Sequence, residues 1–218
     1  MTAPYSHYKN CDGLWIECVP SHWDVQSARR VFEERRDPSL AGDVQLSATQ
    51  KYGVVPQREF MEAADQKVVL ALLGTSNFKH VRANDFVISL RSFQGGIEHS
   101  SYDGCVSPAY TVLRARSEVA PRYWAHALKC DSYVSALQSV TSGIREGRSI
   151  SYDQFGGLQV PVPPVGEQAA IADFLDRETA RIDALIAEQE KLLALLAEKR
   201  QATISRAVTR GLNPDAPM

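Results

Sequence analysis

Residues 161–210 read PVPPVGEQAAIADFLDRETARIDALIAEQEKLLALLAEKRQATISRAVTR, and this stretch decides the fold. Three of its first four residues are prolines, which favour extended backbone. From Glu167 to Arg210 there is no glycine or proline, and Gly211 follows. An acidic first turn suits the helix dipole, and glycine is typical just after a helix end. The sequence therefore predicts one helix over 167–210, about 65 Å long at 1.5 Å per residue.

Such a helix needs a surface to pack against. A compact domain of about 160 residues is only roughly 40 Å across, so it cannot cover the whole helix. An apolar stripe at heptad spacing favours a partner helix, and a polar residue in its middle can fix register. The predicted pairing residues are Ile182, Leu185, Ile186, Gln189, Leu192, Leu193 and Leu196. The alternative is a helix packed on its own domain.

Composition sets broad limits on the function. The chain has 218 residues, 44% hydrophobic and 23% charged, with a net charge of −2. This balance gives no global attraction to nucleic acid or membrane, and no run reaches the ~18–20 apolar residues of a membrane span. No signal peptide is visible, and the four cysteines lack metal-binding spacing. We expect a cytoplasmic protein with reduced thiols, no membrane association and no metal.

The residues before the long helix have a mixed α/β pattern. Residues 67–73 (KVVLALL) form an apolar run that suits a strand or a helix. Residues 85–90 (DFVISL) and 109–113 (AYTVL) predict strands, because they are short, β-branched and bounded by turn residues. Residues 121–140 predict a helix from their apolar spacing and first-position proline. Residues 159–164 predict an extended exit segment.

No pattern indicates an enzyme. The chain lacks GxSxG, P-loop, HExxH and dinucleotide-binding motifs. Its five histidines are scattered, and Cys105 near His99 has no supporting nucleophile motif. We therefore predict no catalytic residue and no cofactor.

Three loops carry side chains suited to nucleic acid. Arginine and glutamine can contact guanine and adenine edges, and guanidinium groups on glycine loops suit phosphates. The predicted groove contacts, in loops 49–58 and 90–97, are Lys51, Tyr52, Arg58, Arg91, Ser92 and Gln94. The predicted phosphate contacts, in loop 142–148, are Arg145 and Arg148. The alternative for each loop is a solvated turn carrying a few charges.

Several segments resemble a known family. Residues 161–212 resemble the spacer-helix region of type I restriction–modification specificity subunits, and their Pro-Pro-x-x-Glu-Gln entry is the most specific signal. Residues 13–25 (GLWIECVPSHWDV) resemble the entry segment of the family's target recognition domains. Residues 85–114 and 141–155 are similar to further stretches of the family.

The resemblance implies a non-catalytic DNA-binding subunit. In this family two target recognition domains, separated by paired helices, each read half of a bipartite site, while other chains methylate and cleave. The implied fold is a mixed α/β target recognition domain over 1–160, a Pro-rich linker over 161–166 and a long helix over 167–210. That helix would form an antiparallel coiled-coil pair, and 211–218 would be a tail.

The implied partners are double-stranded DNA, methyltransferase (M) subunits and, through them, the restriction (R) subunit. The family usually has two recognition domains and two helical regions, whereas this chain has one of each. It is therefore expected to be a half-subunit that forms a homodimer on a palindromic site, or half of a longer subunit. The alternatives are a protein-interaction adaptor that uses the helix as a scaffold and an enzyme with a divergent site.

Overall fold

The computed structural model describes residues 5–11, 15–64, 77–90, 92–116, 119–140 and 150–212. The chain divides into two units, Met1–Ala172 and Asp173–Met218. The described strands are β1 (Tyr8–Asn10), β2 (Cys18–Pro20), β3 (Asp24–Ser27), β4 (Phe32–Arg35), β5 (Leu46–Thr49), β6 (Gly53–Pro56), β7 (Lys79–Val81), β8 (Phe86–Ile88), β9 (Glu98–His99), β10 (Gly104–Val106), β11 (Thr111–Ala115) and β12 (Gln159–Val162). The described helices are α1 (Ala28–Val31), α2 (Gln57–Ala64), α3 (Ser92–Gly95), α4 (Pro121–Ala127), α5 (Asp131–Val140), α6 (Tyr152–Gly157) and α7 (Val165–Arg210).

An antiparallel sheet of order β4-β11-β8-β9 organises the first unit. Its side chains alternate between two cores, as the pleat requires. Phe86 packs on one face in an aromatic core, where the ring centroids of Phe32 and Trp124 lie 5.2 Å apart. Val87 packs on the other face with Val54 of the β5–β6 hairpin. This second core places the hairpin against the sheet.

The predicted helix over 121–140 is two helices, so that prediction is wrong in its continuity. α4 ends at Ala127 and α5 begins at Asp131. The carbonyl of Leu128 accepts a hydrogen bond from the backbone N–H of Ile97 at 3.1 Å. The helical hydrogen-bonding pattern is interrupted between α4 and α5, where the Leu128 carbonyl accepts this long-range hydrogen bond.

The predicted strands exist with shifted bounds. The segment 85–90 contributes only β8, and the strand predicted over 109–113 is β11, which begins later at Thr111. The shift in β11 follows from a turn in which the N–H of Tyr110 donates to the Ser107 carbonyl at 3.0 Å. The apolar run 67–73 lies outside the described residues.

The long helix α7 begins at Val165, two residues before the predicted start, and ends at Arg210. Gly211 follows with a φ of +71°, the left-handed conformation that ends many helices. Within the second unit, every side chain from Arg181 to Arg206 is exposed. Among the described helices, none combines the length and apolar character needed to cross a membrane.

Candidate nucleic-acid interface

The β5–β6 hairpin presents two of the predicted contacts at its tip. Thr49 pairs with Gly53, and Gly53 has a φ of +71°, which a glycine allows without strain. The Thr49 hydroxyl accepts from the Tyr52 N–H at 3.0 Å and donates to the Gly53 carbonyl at 3.1 Å. Lys51 Nζ lies 5.2 Å from the centroid of the Tyr52 ring. The turn thus holds a cation and an aromatic ring together at the surface.

Arg58 lies just after the hairpin, in the first turn of α2. Its Nε is 3.3 Å from Glu62 Oε1, and both side chains are highly exposed. Such surface pairs contribute about 0–1 kcal/mol, so the guanidinium can exchange this partner for a phosphate at little cost. Tyr102 lies beside the same helix, where its hydroxyl donates to Glu59 Oε2 at 3.4 Å. Tyr102 and Glu59 are 43 positions apart in the sequence, so no local pattern indicates this contact.

Two of the predicted DNA contacts, Ser92 and Gln94, lie in α3 but differ in their exposure to solvent. Gln94 is exposed, whereas Ser92 is 1% exposed and its hydroxyl accepts from the Ser89 N–H at 2.8 Å. Ser92 therefore supports the turn from inside. Gly96 has a φ of +86°, and a Cβ there would lie 2.4 Å from the Leu128 carbonyl oxygen. The Gly95-Gly96 pair is a point of close packing.

Lys129 links the hairpin to the sheet. Its Nζ donates to the Gln50 carbonyl and to Glu98 Oε2, both at 2.8 Å. Gln50 also lies against Gly95, where a Cβ would be 2.8 Å from Gln50 Cδ. The hairpin tip and α3 are therefore in direct contact.

Four predicted contacts thus lie on adjoining elements and are exposed, and we call them the hairpin face: Lys51, Tyr52, Arg58 and Gln94. Sequence reasoning did not single out Gln50, Tyr102 or Lys129, which contact the elements that carry the hairpin face. Arg91, Arg145 and Arg148 lie outside the described residues. Within the described ranges, no group of three or more His, Cys, Asp or Glu side chains is placed to hold a metal ion.

The predicted pairing stripe on α7 is exposed and symmetric in position about Gln189. Apolar residues stand three, four and seven positions to either side of it, and each is about half exposed or more. They are Ile182, Leu185, Ile186, Leu192, Leu193 and Leu196. A second helix running in the opposite direction would meet the same pattern.

The first turn of α7 contacts the N-terminal segment of the chain. Trp23 Nε1 donates to Glu167 Oε2 at 2.6 Å, and Tyr5 donates to the same oxygen at 3.2 Å. Glu167 Oε1 lies 2.7 Å from His22 Nε2. Glu167 therefore joins the first turn of α7 to the N-terminal segment of the same unit.

Comparison with known proteins gives consistent relatives. The chain is 31% identical over 97 residues to the type I restriction enzyme StySPI specificity subunit of Salmonella potsdam, covering 44% of this chain and 21% of that protein. It is 26% identical over 134 residues to the EcoKI specificity subunit of Escherichia coli strain K12, covering 59% and 29%. The matched segments thus span less than a third of these relatives. No protein-family model matches the chain.

Solved structures show the same fold over most of the chain. The HsdS subunit from Thermoanaerobacter tengcongensis matches with a TM-score of 0.54 and 19% identity, covering 89% of this chain and 46% of that one. A chain from a structure that addresses assembly and conformational transition of the type I R-M system matches with a TM-score of 0.63 and 18% identity, covering 89% and 47%. In sequence and in fold, the chain is a relative of the type I restriction enzyme specificity subunits and corresponds to about half of the solved chains.

Proposed function

We propose that this chain is a non-catalytic DNA-specificity subunit of a type I restriction–modification complex, which reads one half of a bipartite duplex site. The observation that carries the proposal is the hairpin face, four exposed DNA-compatible side chains on adjoining elements of a chain similar to specificity subunits. The recognition domain is proposed to extend over 1–160, with 161–166 leading into the helix.

The hairpin face suits duplex DNA chemically. Lys51 and Arg58 supply cations for phosphates, which orient a protein on DNA without reading sequence. Gln94 supplies an amide that can pair with the N6 and N7 edge of adenine in the major groove. Tyr52 supplies an apolar ring with a polar tip beside them. Arg91 is proposed to extend the groove contacts.

Arg145 and Arg148 are proposed to bind phosphates, as their sequence context predicts. Guanidinium groups in a glycine-containing loop suit that role, because they donate two parallel hydrogen bonds to phosphate oxygens. Ser92, which is buried, is proposed to contribute by supporting the loop that carries Gln94.

The stripe on α7 is proposed to pair with an antiparallel helix, either from a second copy or from the other half of a longer subunit. An arrangement centred on Gln189 sets Ile182 opposite Leu196 of the second helix and Leu185 opposite Leu193. Each of these side chains is about half exposed in the single chain, so its burial contributes roughly half of the value for full burial, about 0.7–1.5 kcal/mol. Two copies related by a twofold axis would read a palindromic site.

The paired helices are further proposed to dock methyltransferase subunits and, through them, the restriction subunit. The same pairing would set the distance between the two half-sites. The methylation and cleavage chemistry would then reside in those partner chains.

The proposal is tested by selecting duplexes from a randomised pool with the full chain, then co-expressing it with a type I methyltransferase subunit from the same source. We expect one enriched motif, and methylated adenines within that motif in genomic DNA. Recovery of no motif, together with no methylation above the level of the methyltransferase subunit alone, would contradict the proposal and favour a protein-interaction adaptor.

A further inference from the structure

Lys129 contacts the hairpin turn that carries Lys51 and Tyr52. Its ammonium group has three donors and uses two of them, on the Gln50 carbonyl and on Glu98 Oε2. Lys51 and Tyr52 directly follow Gln50 in the turn. Any movement of the Gln50 carbonyl therefore moves both side chains.

Glu98 determines where Lys129 can lie. Glu98 is 2% exposed, and burial raises the pKa of its carboxyl group while the hydrogen bond from Lys129 opposes that rise. A buried carboxylate without a partner is strongly unfavourable, so the ammonium group is held at 2.8 Å from inside the domain. The Gln50 carbonyl is thus attached to a cation whose position the core dictates.

A second contact completes the attachment. The Gln50 side chain lies on Gly95, where no Cβ intervenes. Gly95 directly follows Gln94 in α3. The hairpin tip therefore packs on the residue next to Gln94. The turn that carries Lys51 and Tyr52 is therefore packed against the helix that carries Gln94.

We propose that Lys129 is a positioning residue that holds the hairpin tip in register with α3, so that the hairpin face discriminates between DNA sequences. This inference rests on the proposed DNA-reading function. In this proposal Lys129 acts through Gln50 rather than on DNA, because Glu98 and the Gln50 carbonyl hold its ammonium group. It therefore governs sequence discrimination and contributes nothing to the salt dependence of binding.

The charge argument separates this role from that of a phosphate contact. Each cation that neutralises a phosphate adds about 0.9 to the slope of log Kd against log salt. Removing Lys129 should leave this slope unchanged. Removing a cation that contacts phosphate should lower it.

The test uses the full chain with Lys129→Met and a second variant that combines Glu98→Leu with Lys129→Met. The double variant leaves no unpaired buried carboxylate, and replacing a buried ion pair by apolar side chains is often neutral for folding. The matched control is Lys79→Met, since Lys79 Nζ also donates to a carbonyl, that of Tyr110 at 2.7 Å, and lies 4.0 Å from Glu34 Oε1.

Three quantities are measured. Amide hydrogen exchange over 46–56 is followed without DNA, and Kd is measured for a selected duplex and for a scrambled duplex across a salt series. In the double variant we expect faster hairpin exchange, a loss of discrimination of roughly tenfold or more, and an unchanged salt slope. Lys79→Met should match the wild type in all three.

Two results would overturn the inference. One is a folded double variant with wild-type exchange over 46–56, which would show that the hairpin does not depend on Lys129. The other is a salt slope that falls by about one, which would make Lys129 a phosphate contact. A wild-type chain without DNA discrimination would instead refute the proposed function, while the exchange measurement would still decide whether Lys129 holds the hairpin.

Discussion

The side-chain oxygen of Gln168 accepts a hydrogen bond from the backbone N–H of Ala120 at 3.0 Å, although 48 residues separate them. The same side chain donates from Nε2 to the Pro163 carbonyl at 2.8 Å. The Gln168 side chain is only 1% exposed; its bond to Pro163 is buried and its bond from Ala120 is partly buried. This glutamine joins the first turn of α7 to the strand exit and to the segment before α4. The glutamine of the Pro-Pro-x-x-Glu-Gln motif therefore links three segments of the first unit by hydrogen bonds.

Gln168→Ala should lower the free energy of unfolding by about 1–3 kcal/mol, because the buried Pro163 carbonyl and the partly buried Ala120 N–H each lose their partner. Urea denaturation monitored by tryptophan fluorescence measures the change. Gln201→Ala, at an exposed position on the same helix, is the control and should stay within about 0.5 kcal/mol of the wild type. Equal stability of the two variants would contradict this interpretation of the motif.

Glu167 should make stability depend on acid pH. Burial tends to raise the pKa of its carboxyl group, but hydrogen bonds from His22, Trp23 and Tyr5 outweigh it and hold the pKa below the ordinary value. A carboxyl group with a lowered pKa in the folded state stabilises that state above its unfolded pKa, about 4.3, and the stabilisation is lost as pH falls through the folded value.

We therefore expect the wild type to be more stable than Glu167→Gln at pH 6, and this difference to shrink steadily below about pH 4.5. Thermal unfolding at a series of pH values provides the measurement. Glu190→Gln, on the exposed part of α7, is the matched control. A Glu167→Gln difference that stays constant from pH 6 to pH 3 would argue against a charged acceptor at this position.

Local sequence predicts α7 because its signals are local: prolines before it, no glycine or proline inside it, and glycine after it. The loop predicted over 49–58 is instead a tight turn followed by β6 (Gly53–Pro56) and the start of α2, because β6 pairs with β5. The break at Leu128 and the burial of Ser92 arise from contacts with distant segments, which no local spacing encodes. Lys129 is hidden from sequence reasoning in the same way, because its role depends on Glu98 and on the hairpin tip. The pairing of α7 and the individual DNA contacts remain predictions.

Gly96 should be less tolerant of substitution than a glycine with similar backbone geometry. Its φ of +86° resembles the +96° of Gly42, but only Gly96 meets a backbone oxygen, that of Leu128, within 2.4 Å of an added Cβ. Gly42→Ala should cost about 1–2 kcal/mol from backbone strain alone. Gly96→Ala should cost clearly more, because the contact with Leu128 must also open. Urea denaturation of both variants gives the comparison, and equal losses would show that the close approach has no energetic weight.

Lys51→Ala should weaken binding to every duplex by a similar factor and reduce the salt slope by about one. The physical reason is that a lysine on phosphate releases counterions without reading bases. Fluorescence anisotropy across a salt series, with a selected and a scrambled duplex, measures both effects. Arg36→Ala is the control, since Arg36 is exposed next to β4, at the sheet edge opposite β9. A Lys51→Ala slope equal to that of Arg36→Ala would remove Lys51 from the phosphate contacts.

The exposed stripe of α7 should associate with a second copy of the chain. Leu192 is 48% exposed in the single chain and lies within the stripe centred on Gln189. Leu192→Glu should prevent association, because a dimer would bury two unpaired carboxylates in an apolar seam. Light scattering at micromolar concentration should give the mass of two copies for the wild type and of one for the variant. Glu190→Gln, outside the stripe, should remain dimeric. A wild-type monomer would contradict self-pairing and leave the stripe to the corresponding helix of a longer subunit, since apolar side chains at this spacing still need a partner to leave water.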